Sequence, residues 1–142
     1  MKKSVKTVTG ILGFFMLIPG LAKFTEPFKT YIYNHLTGIG FPFADQMQHV
    51  VKFSEVGIGI LMLYLAFKGN KLSTSLRNKL FNFGNLTIVI MMIVAVYTHL
   101  HPNVPAEVLP MEFKPPIMPI GYILLVVYNF YLFRSSNEKQ WK

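Results

Sequence analysis

The stretch GIGFPFADQMQHVVKFSEVGIGILMLYLAF, residues Gly38–Phe67, decides the fold of this chain. It begins with a turn rich in glycine and proline, continues through a polar segment and ends in an uninterrupted apolar run. This order is typical of a helix that enters a membrane. Glu55 lies only a few residues inside that helix. An ionisable side chain within a membrane segment is costly unless it is paired or functional, so the partner of Glu55 becomes the central question.

The composition also indicates a membrane protein. Of the 142 residues, 52% are hydrophobic and 14% are charged, and the length suits a single domain. A net charge of +8 could indicate nucleic-acid binding, but the basic residues flank apolar blocks, so we expect no nucleic-acid partner. Because the chain has no cysteine, disulfides, thiolate nucleophiles and cysteine metal sites are excluded, and a redox role would need a bound cofactor or a partner.

Four apolar segments are long enough to span a bilayer, which takes about 20 residues. They cover residues 5–24, 49–67, 80–100 and 117–133 of a single membrane domain, 1–142. The first begins with MKKSVK and carries small residues at Gly20 and Ala22, as a secretory signal does, and we expect it to be retained as a membrane anchor. The predicted fold is therefore all-α, a bundle of four transmembrane helices.

Residues 25–48, between the first two spans, are too polar to cross a membrane and too aromatic for a free loop. Five residues recur here at helical spacing: Phe28, Tyr31, Ile32, His35 and Leu36. They predict a short amphipathic helix at the membrane surface, ended by Gly38 and Gly40. A partly ordered loop with aromatic anchors is the alternative. Residues 68–79, KGNKLSTSLRNK, predict a short hydrophilic link between the second and third spans.

The distribution of charge predicts the orientation of the spans. One face carries Lys2, Lys3, Lys6, Lys68, Lys71, Arg77, Lys79, Arg134, Lys139 and Lys142, with Glu138 as its only acid. The other carries Lys29 and Lys114 together with Glu26, Asp45, Glu107 and Glu112. The positive-inside rule then places both termini in the cytoplasm. We expect a multi-pass protein of the bacterial cytoplasmic (inner) membrane.

This topology brings polar residues of separate segments to the non-cytoplasmic side. They are Lys23, Lys52, Glu55, His99, His101, Glu107 and Glu112. In the second span His49, Lys52, Glu55 and Gly59 are three or four residues apart, so they share one helix face. We expect the side chains of Lys23 and Glu55 to lie within salt-bridge or single-water distance.

The cluster of Lys23, Glu55 and His99 admits two interpretations. Glu55 is either a proton-handling or ligand-anchoring carboxylate, or one half of an ion pair that orients two helices. In the first case these three residues are the catalytic candidates. Glu55, His99 and Tyr97 are then the candidates for binding a quinone or another lipid-like molecule. For Lys52 we expect the ammonium group to snorkel to the interface.

The pair His99 and His101 could supply ligands to a metal together with nearby carboxylates. Pro102 ends the helix before an i, i+4 pair can form, so we favour no metal site and a hydrogen bond from His99 to a neighbouring helix. Close helix contacts are expected at Gly13, Gly20, Gly57 and Gly59. Hydrogen bonds between helices are expected from Asn82, Asn85 and Asn129.

Several segments resemble a known family. They are GLAKF at Gly20–Phe24, GFPF at Gly40–Phe43, SEVGIGILML at Ser54–Leu63, and His99–Leu100 before a loop rich in proline. In this order they resemble the DoxX-like family of small four-helix membrane proteins over nearly the whole chain. The resemblance implies a four-helix bundle with Lys23 and Glu55 at the family's recurrent polar positions, followed by Gly57 and Gly59.

Members of that family include quinone-linked subunits of thiosulfate-oxidising complexes, proteins associated with membrane oxidoreductases and, more distantly, assembly factors. The small size of the chain, its short loops and the lack of a complete catalytic constellation favour a non-catalytic accessory or assembly subunit that binds a membrane partner or a lipid-like ligand. The alternative is a quinone-linked oxidoreductase subunit that uses the Lys23, Glu55 and His99 cluster. A small transporter is disfavoured because the chain has no inverted repeat. The expected partners are membrane lipids and another membrane protein or a second copy.

Overall fold

The computed structural model describes residues 1–138. Its helices are α1 (Lys3–Ala22), α2 (Phe28–Gly38), α3 (Ala44–Lys68), α4 (Thr74–Leu100) and α5 (Ile117–Glu138). Short 3-10 turns occupy Gly69–Lys71, Ala106–Val108 and Pro110–Glu112, and residues 1–138 contain no strand. Four of the helices, α1, α3, α4 and α5, are long and apolar enough to cross a membrane. The protein is therefore all-α, with four candidate membrane spans.

Two helix boundaries differ from the sequence prediction. Residues 44–48, predicted within the interfacial segment, form the first turns of α3. The hydrophilic link is shorter than predicted, because α4 already begins at Thr74, where the Ser73 hydroxyl accepts a hydrogen bond from the backbone N–H of Leu76 at 3.4 Å. Polar residues do not end a helix whose backbone hydrogen bonds and cap are satisfied. Lys139 and Lys142, which contribute to the predicted orientation, lie outside the described residues.

Helices α1 and α3 approach closely because glycines remove side chains from their contact. A Cβ atom added at Gly59 would lie 2.7 Å from the backbone nitrogen of Leu17, and one at Gly13 would lie 2.8 Å from that of Leu63. Small residues of this kind let membrane helices pack backbone against backbone. The prediction is wrong for Gly57, which is exposed on α3 and has no atom within 4 Å of an added Cβ.

A buried polar network joins α1, α4 and α5. The amide nitrogen of Asn129 donates to Asn85 Oδ1 at 3.0 Å and to Thr9 Oγ1 at 3.2 Å, and all three side chains are fully buried. The prediction of bonds between helices is therefore confirmed for Asn85 and Asn129. It is wrong for Asn82, which is exposed on another side of α4. Such bonds orient helices where the apolar contacts alone would tolerate rotation.

The α2 helix and the connection between α4 and α5 form a cap over one end of the bundle. The helix forms where the spacing predicts it and buries Ile32 and Leu36. Against the connection, the Nε2 atom of His35 donates a hydrogen bond to the carbonyl oxygen of Val108. Val104, in the same connection, is fully buried. The cap thus covers the end of the bundle where Lys23 and Glu55 lie.

Candidate functional site

A cavity of about 130 Å³ lies beneath the cap, where all four long helices meet. Its walls are Phe15, Met16, Pro19, Lys23, Glu55, Met92, Ala95, His99, Pro110, Met118, Pro119 and Tyr122. Among the wall residues of the long helices, the large exposed side chains are Phe15 of α1 and Met118 of α5. At these two residues the cavity wall therefore reaches the outer surface of α1 and α5, which lipid would cover.

The predicted ion pair between Lys23 and Glu55 is present. The ammonium group of Lys23 donates to Glu55 Oε1, and the two side chains are 21% and 9% exposed. The helices come together here because α1 carries Gly20, where an added Cβ would lie 2.9 Å from the Cβ of Glu55. The second oxygen, Glu55 Oε2, is buried and has no hydrogen-bond partner among the described residues. Glu55 therefore keeps one free acceptor at the cavity.

His99 is buried and lines the cavity, as predicted. Its Nδ1 atom bonds to the carbonyl oxygen of Lys114 at 3.1 Å, so its partner is the connection before α5 rather than a neighbouring helix. A carbonyl oxygen only accepts, so Nδ1 donates this hydrogen bond, and in the Nδ1–H tautomer Nε2 is an acceptor. Tyr122 was not among the predicted site residues; it lines the cavity, and its hydroxyl donates to the carbonyl oxygen of Phe15 at 3.0 Å. No motif in the apolar sequence around Tyr122 marks it.

Lys52 does not snorkel, and this prediction is wrong. Its side chain is 2% exposed, and its ammonium group donates to Gln48 Oε1 at 2.8 Å, one helical turn away. The Gln48 amide in turn donates to Asp45 Oδ1 at 2.8 Å. Lys52 also lies 6.0 Å from the centre of the Phe24 ring. The buried polar stripe of α3 thus begins at Gln48, while His49, the residue predicted there, is exposed.

Other predicted site residues lie away from the cavity. Tyr97 is 55% exposed on α4, where its ring contacts His101 at 5.4 Å between centroids, so it does not line this binding site. Glu107 and Glu112 are exposed in the connection before α5. Residues 1–138 contain no group of three or more side chains placed to hold a metal ion. The two histidines have different partners: His99 bonds to the carbonyl oxygen of Lys114, whereas His101, the extended residue after α4, packs against Tyr97.

The cap adds a titratable group near the site. Burial lowers the pKa of His35 from its ordinary value of 6.5. The hydrogen bond to Val108 opposes this shift, whereas the positive charge of Lys23 adds to it. His35 is therefore held neutral at pH 7, which suits its bond to the connection between α4 and α5.

The chain matches no family model, no curated protein and no solved structure. The chemistry of the site thus rests on its own geometry. Lys23 neutralises Glu55, and the Glu55 carboxylate and the His99 ring line a largely apolar cavity. This arrangement suits the binding of a small molecule that donates hydrogen bonds.

Proposed function

We propose that this chain is a DoxX-like integral membrane protein, a non-catalytic accessory or assembly subunit that binds a lipid-like molecule in the cavity at Glu55. The observation that carries the proposal is Glu55 Oε2, a buried acceptor without a hydrogen-bond partner among residues 1–138, beside a cavity whose wall reaches the outer surface of α1 and α5. Buried polar atoms are almost always satisfied in folded proteins, and a bound ligand would satisfy this one.

The charges and acceptors define the ligand. Because Lys23 already neutralises Glu55, a charged ligand would bring an uncompensated charge into the bundle, so the ligand is neutral. Glu55 Oε2 and His99 Nε2 both accept, so the ligand donates, as a hydroxyl group does. The volume of about 130 Å³ is close to that of a cavity known to hold benzene, about 150 Å³. One ring or a short polar head fits, with its apolar tail between α1 and α5.

Matched substitutions in α4 test this ligand. Ala95 lines the cavity, whereas its neighbour Val94 is exposed on the outside of the helix. The Ala95→Phe variant fills the cavity while Lys23 and Glu55 stay unchanged in sequence, and Val94→Phe adds a larger side chain where there is room. Native mass spectrometry and solvent extraction of protein purified in mild detergent should find a neutral lipid in the wild type and in Val94→Phe, but not in Ala95→Phe. Equal retention by both variants, or no lipid in the wild type, would contradict the proposal.

For location we propose the bacterial cytoplasmic membrane, with both termini in the cytoplasm and α2 at the opposite interface. The support is the concentration of basic residues at the uncapped end. Since the chain lacks cysteine, single cysteines report orientation directly. A membrane-impermeant maleimide should label Glu107→Cys in intact spheroplasts, and Lys71→Cys only after the membrane is broken. The reverse pattern would overturn this orientation.

The accessory role requires a protein partner, either another membrane protein or a second copy of the chain. Cross-linking in native membranes, followed by purification in mild detergent, should capture one partner at a constant ratio. A lone monomer that carries neither a protein nor a lipid would count against this role.

A quinone-linked oxidoreductase subunit is the second candidate, because a quinol is a neutral ring that donates two hydroxyl hydrogens. Glu55 and His99 are placed to accept them, while the electrons would pass to a redox cofactor in a partner protein, since the chain has no cysteine. Quinone extraction and quinol oxidation assays on membranes with wild type and Glu55→Gln test this candidate. The absence of both bound quinone and Glu55-dependent oxidation would exclude it.

A further inference from the structure

A groove of about 650 Å³ runs along the lateral surface between α1 and α3, towards the end of the bundle opposite the cap. It is lined by Lys6, Thr7, Gly10, Ile11, Phe14, Phe15, Leu63, Ala66 and Phe67. Small residues form its floor, since a Cβ atom at Gly10 would lie 3.5 Å from the Cβ of Ala66. Its walls include the exposed rings of Phe14 and Phe67. Lys6 is the one charged residue that lines it.

The dimensions of the groove fit an acyl chain. Along α1 the lining extends from Lys6 to Phe15, which is about 14 Å of helix. One leaflet contributes about 15 Å, half of the hydrocarbon core, so Lys6 would lie at headgroup level. The length of the groove therefore matches the part of an acyl chain that one leaflet holds.

The same end of the bundle is rich in basic residues. Lys3, Lys6, Lys68, Lys71 and Arg77 lie there. Lys6 and Arg77 both lie close to the amino group of Met1, whose pKa is lowered by burial and then by these two charges. The Nε atom of Arg77 is buried and has no hydrogen-bond partner among the described residues. A phosphate near Lys6 would therefore meet several cations.

We propose that the groove between α1 and α3 binds an anionic phospholipid, with one acyl chain against Gly10 and Ala66 and its phosphate group at Lys6. This site is separate from the cavity at Glu55, which lies under the cap and is neutral in charge. The two sites differ in the ligand that they select. The groove between α1 and α3 selects a headgroup by its negative charge, whereas the cavity selects a neutral hydrogen-bond donor.

Native mass spectrometry of the full chain in mild detergent, titrated with phosphatidylglycerol or phosphatidylcholine, tests the proposal. The wild type should bind phosphatidylglycerol in preference to phosphatidylcholine. Lys6→Gln should weaken phosphatidylglycerol binding about fivefold, the contribution of one lysine at a membrane surface, and leave phosphatidylcholine unchanged. The matched control is Lys79→Gln, which removes the same charge from an exposed position on α4 and should stay within twofold of the wild type.

A second variant tests the apolar part of the site independently. Gly10→Leu places a side chain in the groove, and because a Cβ at this position makes an ordinary contact, the bundle should still fold. It should release both lipids. Equal effects of Lys6→Gln and Lys79→Gln, or equal binding of the two lipids by the wild type, would overturn the proposal. So would a dimer that Gly10→Leu dissociates, since the groove would then hold a second copy.

Discussion

Replacement of Glu55 by alanine tests whether the ion pair with Lys23 holds the bundle together. Removing one partner of a buried ion pair costs about 3–5 kcal/mol, whereas exposed pairs contribute about 0–1 kcal/mol. The side chain of Glu55 is 9% exposed and that of Lys23 is 21% exposed, so the pair lies near the buried limit. We expect Glu55→Ala to lower the free energy of unfolding by about 3 kcal/mol, because it leaves the Lys23 ammonium without its carboxylate.

The double variant Lys23→Met with Glu55→Gln leaves no buried charge without its partner. It should cost about 1 kcal/mol, much less than the sum of Lys23→Met and Glu55→Gln made singly, as expected for directly interacting groups. The assay is unfolding by SDS in mixed micelles, applied to the wild type, Glu55→Ala, these two single variants and the double variant. Glu107→Ala is the control, because Glu107 is an exposed carboxylate at the same end of the bundle. Its unfolding free energy should stay within about 0.5 kcal/mol of the wild type.

Two results would refute this reasoning. If Glu55→Ala lowers the free energy of unfolding no more than Glu107→Ala does, the pair does not stabilise the bundle. If the single variants simply add in the double variant, the two side chains are not coupled. The same proteins also separate a structural from a functional role. A double variant that is stable but no longer retains the neutral lipid would mean that Glu55 acts in binding as well as in packing.

Two further predictions concern helix packing and pH. Gly59→Ala should destabilise the protein by about 1–3 kcal/mol, because the added Cβ would lie 2.7 Å from the backbone of Leu17. Gly57→Ala, with open space around it, should be neutral or slightly stabilising, and similar thermal unfolding temperatures for both variants would contradict this account. The pKa of His35 is lowered on folding, so the unfolded chain binds the proton more readily, and the stability contributed by neutral His35 should fall as the pH drops below about 6.5. Between pH 7.5 and 5.5 the unfolding temperature of His35→Gln should therefore depend less on pH than that of the wild type. An equal pH dependence of the two proteins would contradict this prediction.

The pairing of Lys23 with Glu55 could be predicted from the sequence because it follows from topology. Once the spans run in alternating directions, the end of the first helix and the start of the second must share one side of the bundle. A charged group there needs a partner, and few are available. The short α2 helix was predictable for a similar reason, since its apolar residues recur at the period of a helix.

Other parts of the site depend on contacts that no local pattern encodes. Lys52 was expected at the interface, but its side chain is buried near the Phe24 ring, and Gln48 supplies its acceptor. Tyr122 joins the cavity wall because α1 and α5 are neighbours in the bundle. Tyr97 has the same chemistry but lies on the exposed side of α4, so only the packing distinguishes the two tyrosines.

By itself the sequence determined four long apolar helices, a charge asymmetry between their ends, the absence of cysteine chemistry and an acid that needs a partner. These are properties of segments, since hydropathy and charge add along the chain. Only the tertiary structure decided which side of each helix faces its neighbours. That rotation buries Gln48 rather than His49, and Gly59 rather than Gly57. Successive residues are rotated by about 100° around a helix axis, so a shift of one residue exchanges inside for outside, and only packing against other helices sets that rotation.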